Sequence, residues 1–375
     1  MNLVILFIPF LQLGVNWWVT ISLLAAIYFA IRVVRIRETQ SAFIDSVLLC
    51  TLAGMLLSIA VTSQSTHHDL IRVFREGLLL LLFVQFSTGS LIINSQSLHA
   101  LPKFLFCTSA IELLFTAIQF FRLRQGSFFT LPPELYGDRG GILPSFQDLI
   151  YSPIRPTGTF SEPSYLGLIC IGLLICALSI KSQDKMRLTL LAMNSLTILL
   201  SQSKLGYAGL IIVLAIIMRK RSALRKIRFI DLLILFSLTI LIVYLLKSSG
   251  AQTSSSFGSR FRAPFNIVPS FVMENPFGFP FHLHTSSLVN SKENLIWNDI
   301  LHNSFYNFIF SYGISFVLII FLIYWPVRKD PMLILFITLA IIQNGSFLDF
   351  DKLVFCSTVC LLRSQRSKLG QIHEI

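Results

Sequence analysis

Runs of apolar residues recur along the whole chain, separated mostly by a few polar positions and twice by long polar stretches. They fall at about residues 2–14, 17–34, 43–62, 72–93, 104–121, 164–180, 188–201, 205–218, 229–246, 304–325, 331–348 and 352–362. A helix needs roughly 20 apolar residues to cross the hydrocarbon core, and most runs approach that length. The first, seventh, eighth and last are short, as expected of tilted partners or re-entrant segments. The pattern predicts an all-α polytopic membrane protein with about 12 transmembrane helices, 10–12 once the short runs are weighed. The long interruptions, residues 122–163 and 247–303, are two large loops. No soluble domain remains when the runs are removed, so residues 1–375 read as a single integral membrane domain. Neither a fixed-period repeat nor a low-complexity linker divides it.

Composition agrees with the pattern. The 375 residues are 54% hydrophobic and only 13% charged, with a mean hydropathy of +0.74, which excludes a water-soluble globule. Lys and Arg then orient the chain, because short cytoplasmic loops carry their excess. Arg32, Arg35 and Arg37 form one set; Lys181, Lys185 and Arg187 a second; Arg219 to Arg228 a third. Arg328 with Lys329, and Arg363, Arg366 with Lys368, complete the series. All five sets share one side if twelve spans alternate, which puts both termini in the cytoplasm. The two long loops then face outward. They carry Arg122, Arg124, Arg139, Arg155, Lys247, Arg260, Arg262 and Lys292, so part of the net charge of +12 is available to an outer anionic ligand.

Several chemistries find no footing. The six cysteines lie within apolar runs and form no CxxC pair, which argues against disulfides and zinc. P-loop, GxGxxG, HExxH and nucleophile-elbow patterns are missing, so neither an ATPase nor a protease reading has a motif. Without a basic leader, and with Pro9 in its apolar run, the N-terminal segment reads as a retained helix.

Three polar constellations remain. The first is Arg155-Pro156-Thr157-Gly158-Thr159-Phe160-Ser161-Glu162-Pro163-Ser164, which ends the first long loop and enters a helix. Pro163 suits the first helical turn, and Glu162 meets the helix dipole, either as a helix-start carboxylate beside Arg155 or as a chemical group. The second is the hairpin Ser201-Gln202-Ser203-Lys204-Leu205-Gly206-Tyr207. Lys204 with the Ser201 and Ser203 hydroxyls can donate to phosphate oxygens; equally, the lysine can snorkel and the serines can cap. The third runs from Arg260 and Arg262 through Asn275-Pro276-Phe277-Gly278 to His302 and Asn303, where a membrane-edge imidazole can take a proton from a hydroxyl. His282 and His284 form an HxH pair with no third ligand at suitable spacing, so no metal is expected there.

Taken in order, these motifs resemble the bacterial O-antigen polymerase and O-antigen ligase superfamily of integral membrane glycosyltransferases. The resemblance covers about residues 150–325. It rests on Arg155, Gly158, Phe160, Glu162, Pro163 and Ser164; on Ser201, Ser203, Lys204 and Gly206; on Asn275, Pro276 and Gly278; and on His302 and Asn303. It implies a cofactor-free and metal-independent enzyme of the bacterial inner membrane acting on an undecaprenyl-pyrophosphate-linked glycan at the outer face. Its partners would be that glycan, membrane lipid and a chain-length regulator protein, with no nucleic acid. Arg155, Lys204, Arg260, Arg262, Ser201, Ser203 and Asn303 are the expected substrate-binding residues. His302 and Glu162 are the expected catalytic ones, and Tyr165, Tyr207 and Tyr306 the candidates to line a sugar path. Many relatives carry arginine where this chain has Lys204, which gives up the bidentate fork on phosphate. A ligase that transfers finished polymer to lipid A core stays open, as does a flippase, for which mid-span Glu112 and the Arg72, Arg75, Glu76 group are the relevant charges.

Overall fold

The computed structural model describes residues 2–13, 42–60, 67–88, 95–127, 129–132, 155–179, 184–221, 263–278, 304–343 and 346–372. Among these residues every regular element is helical. In chain order they are α1 (Asn2–Phe7) with a 3-10 turn (Ile8–Phe10), α2 (Ala42–Ala60), α3 (His67–Thr88), α4 (Ser95–Arg124), α5 (Pro163–Ala177) and α6 (Asp184–Ser201). There follow α7 (Lys204–Arg221), α8 (Ala263–Glu274), α9 (Ser304–Tyr312), a 3-10 turn (Gly313–Ser315), α10 (Phe316–Tyr324), α11 (Pro331–Ile342) and α12 (Phe350–Ile372). The predicted runs 17–34 and 229–246 lie outside the described residues.

Two helical segments, Ala100–Arg124 and Ser304–Tyr324, are long and apolar enough to cross a membrane; Ile44–Ser58, Pro163–Ala177, Lys204–Ile217 and Pro331–Ile342 are apolar but shorter. The surface of α4 is inverted relative to a helix in water. Thr108, Ser109, Glu112, Thr116 and Gln119 recur at helical spacing and are buried, while Leu114 and Phe121 are 60% and 62% exposed. On α6, Asn194 and Thr197 are likewise buried and Leu188 exposed. Polar stripe inward and leucine outward is the arrangement lipid favours, since hydrocarbon offers exposed polar groups no partner.

The chain forms two compact units: Met1–Ser46, Leu78–Ile211 and Phe321–Ile375 in one, Val47–Gly77 and Ile212–Ile320 in the other. The first is organised around α5, every residue of which from Tyr165 to Ala177 is buried. A helix apolar on all sides belongs at a bundle's centre, and α4, α6, α11 and α12 pack on it. Alpha-1 joins α4 through an exchange forced by Pro9. That residue has no N–H for the Ile5 carbonyl, and the Thr108 hydroxyl donates to it instead at 2.7 Å.

Charged side chains clasp α11 at both ends. Asp330 caps its first turn by accepting from the Met332 N–H and pairs with Arg363 Nε of α12 at 2.7 Å; Arg363 Nη1 also reaches Ser179 Oγ. At the far end, Lys352 Nζ donates to the Gln343 and Ala340 carbonyls at 3.1 and 3.4 Å. A cation suits a helix C-terminus, where carbonyls lack intrahelical partners.

In the second unit, the Asn275–Gly278 turn that closes α8 docks on the break between α9 and α10. Ile314 N–H donates to the Pro276 carbonyl at 2.8 Å. Gly278 and Gly313 both have positive φ, and a Cβ on Gly313 would lie 2.1 Å from that same carbonyl. Backbone approach this close leaves room only for glycine. Nearby, Glu76 is buried and fully engaged: Arg72 Nε lies 2.7 Å from its Oε1, and the Tyr312 hydroxyl donates to its Oε2 at 2.7 Å.

Candidate functional site

The segment entering α5 is held from three sides, and each hold explains a residue of its motif. Gln119 of α4 acts as a clamp: its Oε1 accepts from the Thr157 and Gly158 N–H groups at 2.8 Å each, and its Nε2 donates to the Gly158 carbonyl at 2.9 Å. Two turns away on the same helix, Glu112 accepts from the Thr159 hydroxyl at 2.6 Å and the Thr159 N–H at 3.3 Å. The Thr159 hydroxyl also meets the Pro9 carbonyl. Gly158 has φ +64°, and a Cβ there would lie 2.5 Å from Glu112 Oε2. Its place in the motif is therefore steric and conformational at once. On the third side, Gln12 Oε1 accepts from Ser161 N–H at 2.9 Å and Ser161 Oγ at 3.0 Å.

These holds deliver Glu162 to the head of α5. It occupies the cap position with extended backbone before Pro163, yet its carboxylate makes no capping bond to the helix. Ser164 Oγ donates to Glu162 Oε2 at 2.9 Å, and Gln343 Nε2 lies 3.5 Å from that same Ser164 oxygen. Glu162 thus stands at the helix start, its carboxylate held by Ser164 rather than by a helix N–H.

The second motif lies against the first. Alpha-6 ends where Gln202 takes φ +51°, the left-handed conformation that commonly stops helices, and its carbonyl accepts from Arg155 Nη1 at 3.3 Å. Alpha-5 and α7 approach at glycines, a Cβ on Gly167 falling 2.5 Å from Ser203 Oγ and 3.0 Å from Gly206 N. Ser201 and Ser203 are buried, and their hydroxyls are used locally. Ser201 donates to the Ile198 carbonyl and accepts from Ser203 N–H, while Ser203 caps α7 by accepting from Gly206 N–H at 3.1 Å. That leaves Lys204, exposed at the start of α7, and half-buried Arg155 as the hairpin's outward cations.

Of the tyrosines, Tyr165 is buried against Phe160 with ring centroids 5.1 Å apart, and the Tyr207 hydroxyl donates to the Leu199 carbonyl. Arg260, Arg262, His302, Asn303, His282 and His284 lie outside the described residues. Sequence reasoning did not single out Gln12, Gln119, Gln343 or Lys352. The available signal was a strongly polar residue at the edge of, or within, an apolar run, which in a membrane calls for a named partner. The chain matches no protein-family model, and no curated protein matches it.

Proposed function

We propose that this chain is a lipid-linked glycan polymerase of the bacterial inner membrane, with about 12 spans and both termini cytoplasmic. It joins undecaprenyl-pyrophosphate-linked repeat units into O-antigen or a related surface polysaccharide at the periplasmic face. The observation that carries this reading is the meeting of two motifs some distance apart in sequence. Arg155 and the Glu162 helix head sit beside the hairpin bearing Lys204, so cations and a carboxylate gather at one end of one bundle.

Transfer from a glycosyl diphosphate needs that combination. The hydroxyl of the acceptor sugar attacks the anomeric carbon, the bond from that carbon to the diphosphate oxygen breaks on the opposite face, and the electron pair leaves with the diphosphate. Positioned cations stabilise the growing charge, a part given to Arg155 and Lys204 with Arg260 and Arg262 of the second long loop. The hydroxyl proton passes to a base, His302 oriented by Asn303, or Glu162; such a role is typically worth about 10²–10⁴-fold in rate. Configuration inverts, and no covalent enzyme intermediate forms.

A transporter would be expected to line its path with mid-span charges. Glu112 and Glu76 are engaged internally, the first by Thr159 and the second by Arg72 and Tyr312, which favours the enzyme. The test is in vitro extension of a defined lipid-linked repeat unit by purified protein. Wild type is expected to lengthen the glycan and His302→Ala to lose at least about 10²-fold in rate; wild-type turnover in that variant removes His302 from the mechanism. In a deletion strain, lipid A core bearing a single repeat supports the polymerase, whereas bare core with polymer stranded on its carrier identifies a ligase.

A further inference from the structure

Glu162 belongs to a set of polar contacts, continued through neighbouring residues of the chain, that joins four segments. From Ser164, which donates to Glu162, the path runs to Gln343 Nε2 at 3.5 Å, and the Gln343 carbonyl accepts from Lys352 Nζ at 3.1 Å. Beside Lys352 on α12, Asp351 Oδ2 accepts from Gln12 Nε2 at 3.3 Å. Gln12 Oε1 in turn accepts from both donors of Ser161, the residue preceding Glu162. Ser164 and Gln12 each donate to one neighbour and accept from another, whereas the Gln343 side-chain oxygen is buried without a hydrogen-bond partner among the described residues. The set involves the turn after α1, the head of α5, the tail of α11 and the head of α12.

Energetics single out Lys352 within this set. It is 1% exposed, and Asp351 is 2% exposed. Removing an ammonium from water costs several kcal/mol, and an apolar residue of similar volume would usually serve stability as well or better. Helix tails are also commonly closed by glycine alone. Here the ammonium holds the tail of α11, and the carboxylates of Asp349, Asp351 and Glu162 all act on it. Glu162 is the member of that group at the head of α5, half-buried like Asp349, whereas Asp351 is enclosed.

We propose that Lys352, Asp351, Gln343 and Gln12 form a positioning ring that fixes the direction of the Glu162 carboxylate, which meets the acceptor hydroxyl. This rests on the glycan-polymerase reading. None of the four touches substrate; they act through Glu162. Holding a reacting group within a few tenths of an ångström matters because a displacement near 1 Å can cost about 10²-fold in rate.

The experiment uses full-length protein in detergent, with a defined lipid-linked repeat unit as substrate. Carbodiimide coupling to Glu162, read by peptide mass spectrometry, is followed in parallel. Lys352→Met is expected to lower kcat by about 10²-fold with little change in KM for the lipid-linked unit, and to raise the coupling rate several-fold. The double variant Lys352→Met/Glu162→Gln should be no slower than Glu162→Gln alone, since a residue acting only through another gives a non-additive cycle. Should Lys352→Met not fold, Gln12→Leu breaks the ring at Ser161 and Asp351 without removing a charge and carries the same expectations. Full kcat in the ring variant, an additive double, or an unchanged coupling rate would overturn the proposal. Faster coupling alongside a wild type that never extends glycan would instead overturn the polymerase reading beneath it.

Discussion

Gln119 is the residue on which the candidate loop most visibly depends. A single amide satisfies two N–H groups and one carbonyl of the turn before α5. Gln119→Leu keeps the volume and removes all three bonds. Each buried group left without a partner costs about 1–3 kcal/mol, with membrane interiors toward the low end. A marked fall in thermal midpoint and loss of glycan extension are therefore expected, measured by scanning fluorimetry and by extension assay. Gln119→Glu, which retains both acceptor bonds, should lose less. The clamp was hidden in the sequence for a plain reason: residues 119 and 157 are far apart along the chain, and nothing local to either names the other. Gly158, by contrast, was readable as a turn residue, although its collision with Glu112 was not.

Among elements, the contact of α5 with α7 is set by Gly167 and Gly206. Gly167→Ala places a methyl against Ser203 Oγ and the Gly206 backbone, so one helix must move away from the other. Forced displacement of well-packed elements typically costs about 1–3 kcal/mol. The expected result is lower stability and an extension rate reduced by more than the stability loss explains, because Arg155 and Lys204 separate; equal activity at matched folded fraction would show that their spacing does not matter. Most helices were visible beforehand because apolar runs and polar breaks are strong signals: α2, α5, α6 and α7 fall within a few residues of the predicted runs. Alpha-3 begins earlier than its run because its first turn, His67-His68-Asp69, is polar and depresses local hydropathy. The 3-10 break at Gly313 lies inside a predicted apolar run, where Ser311, Gly313 and Ser315 are its local trace. Alpha-8, within the second long loop, was not anticipated.

Across the first unit, polar groups collect at opposite ends of the helices. Ser179, Asp330 and Arg363 meet at one end; Gln12, Glu162, Gln343, Asp351 and Lys352 meet at the other. This is the grouping expected if α5, α11 and α12 alternate in direction, and charge bias assigned the first set's neighbours to the cytoplasm. In a cysteine-free background, an impermeant maleimide added to intact cells with a permeabilised outer membrane is expected to label Gln202→Cys and spare Lys329→Cys. The reverse pattern would invert the orientation and move the proposed chemistry to the wrong leaflet. Which ends gather was therefore foreseeable from charge, whereas the identity of each partner required the fold.

Pro9 places a demand on the order of assembly. The Ile5 carbonyl is completed by Thr108, and the Pro9 carbonyl shares the Thr159 hydroxyl with Glu112. Neither can be completed by the first helix alone, so during synthesis that helix has acceptors in need of water or temporary partners until the later segments arrive. Nascent chains arrested shortly before residue 108 should leave an Ile5→Cys probe open to thiol reagents, and chains released beyond α4 should close it. The earliest-made segment would then settle only once a later one has arrived.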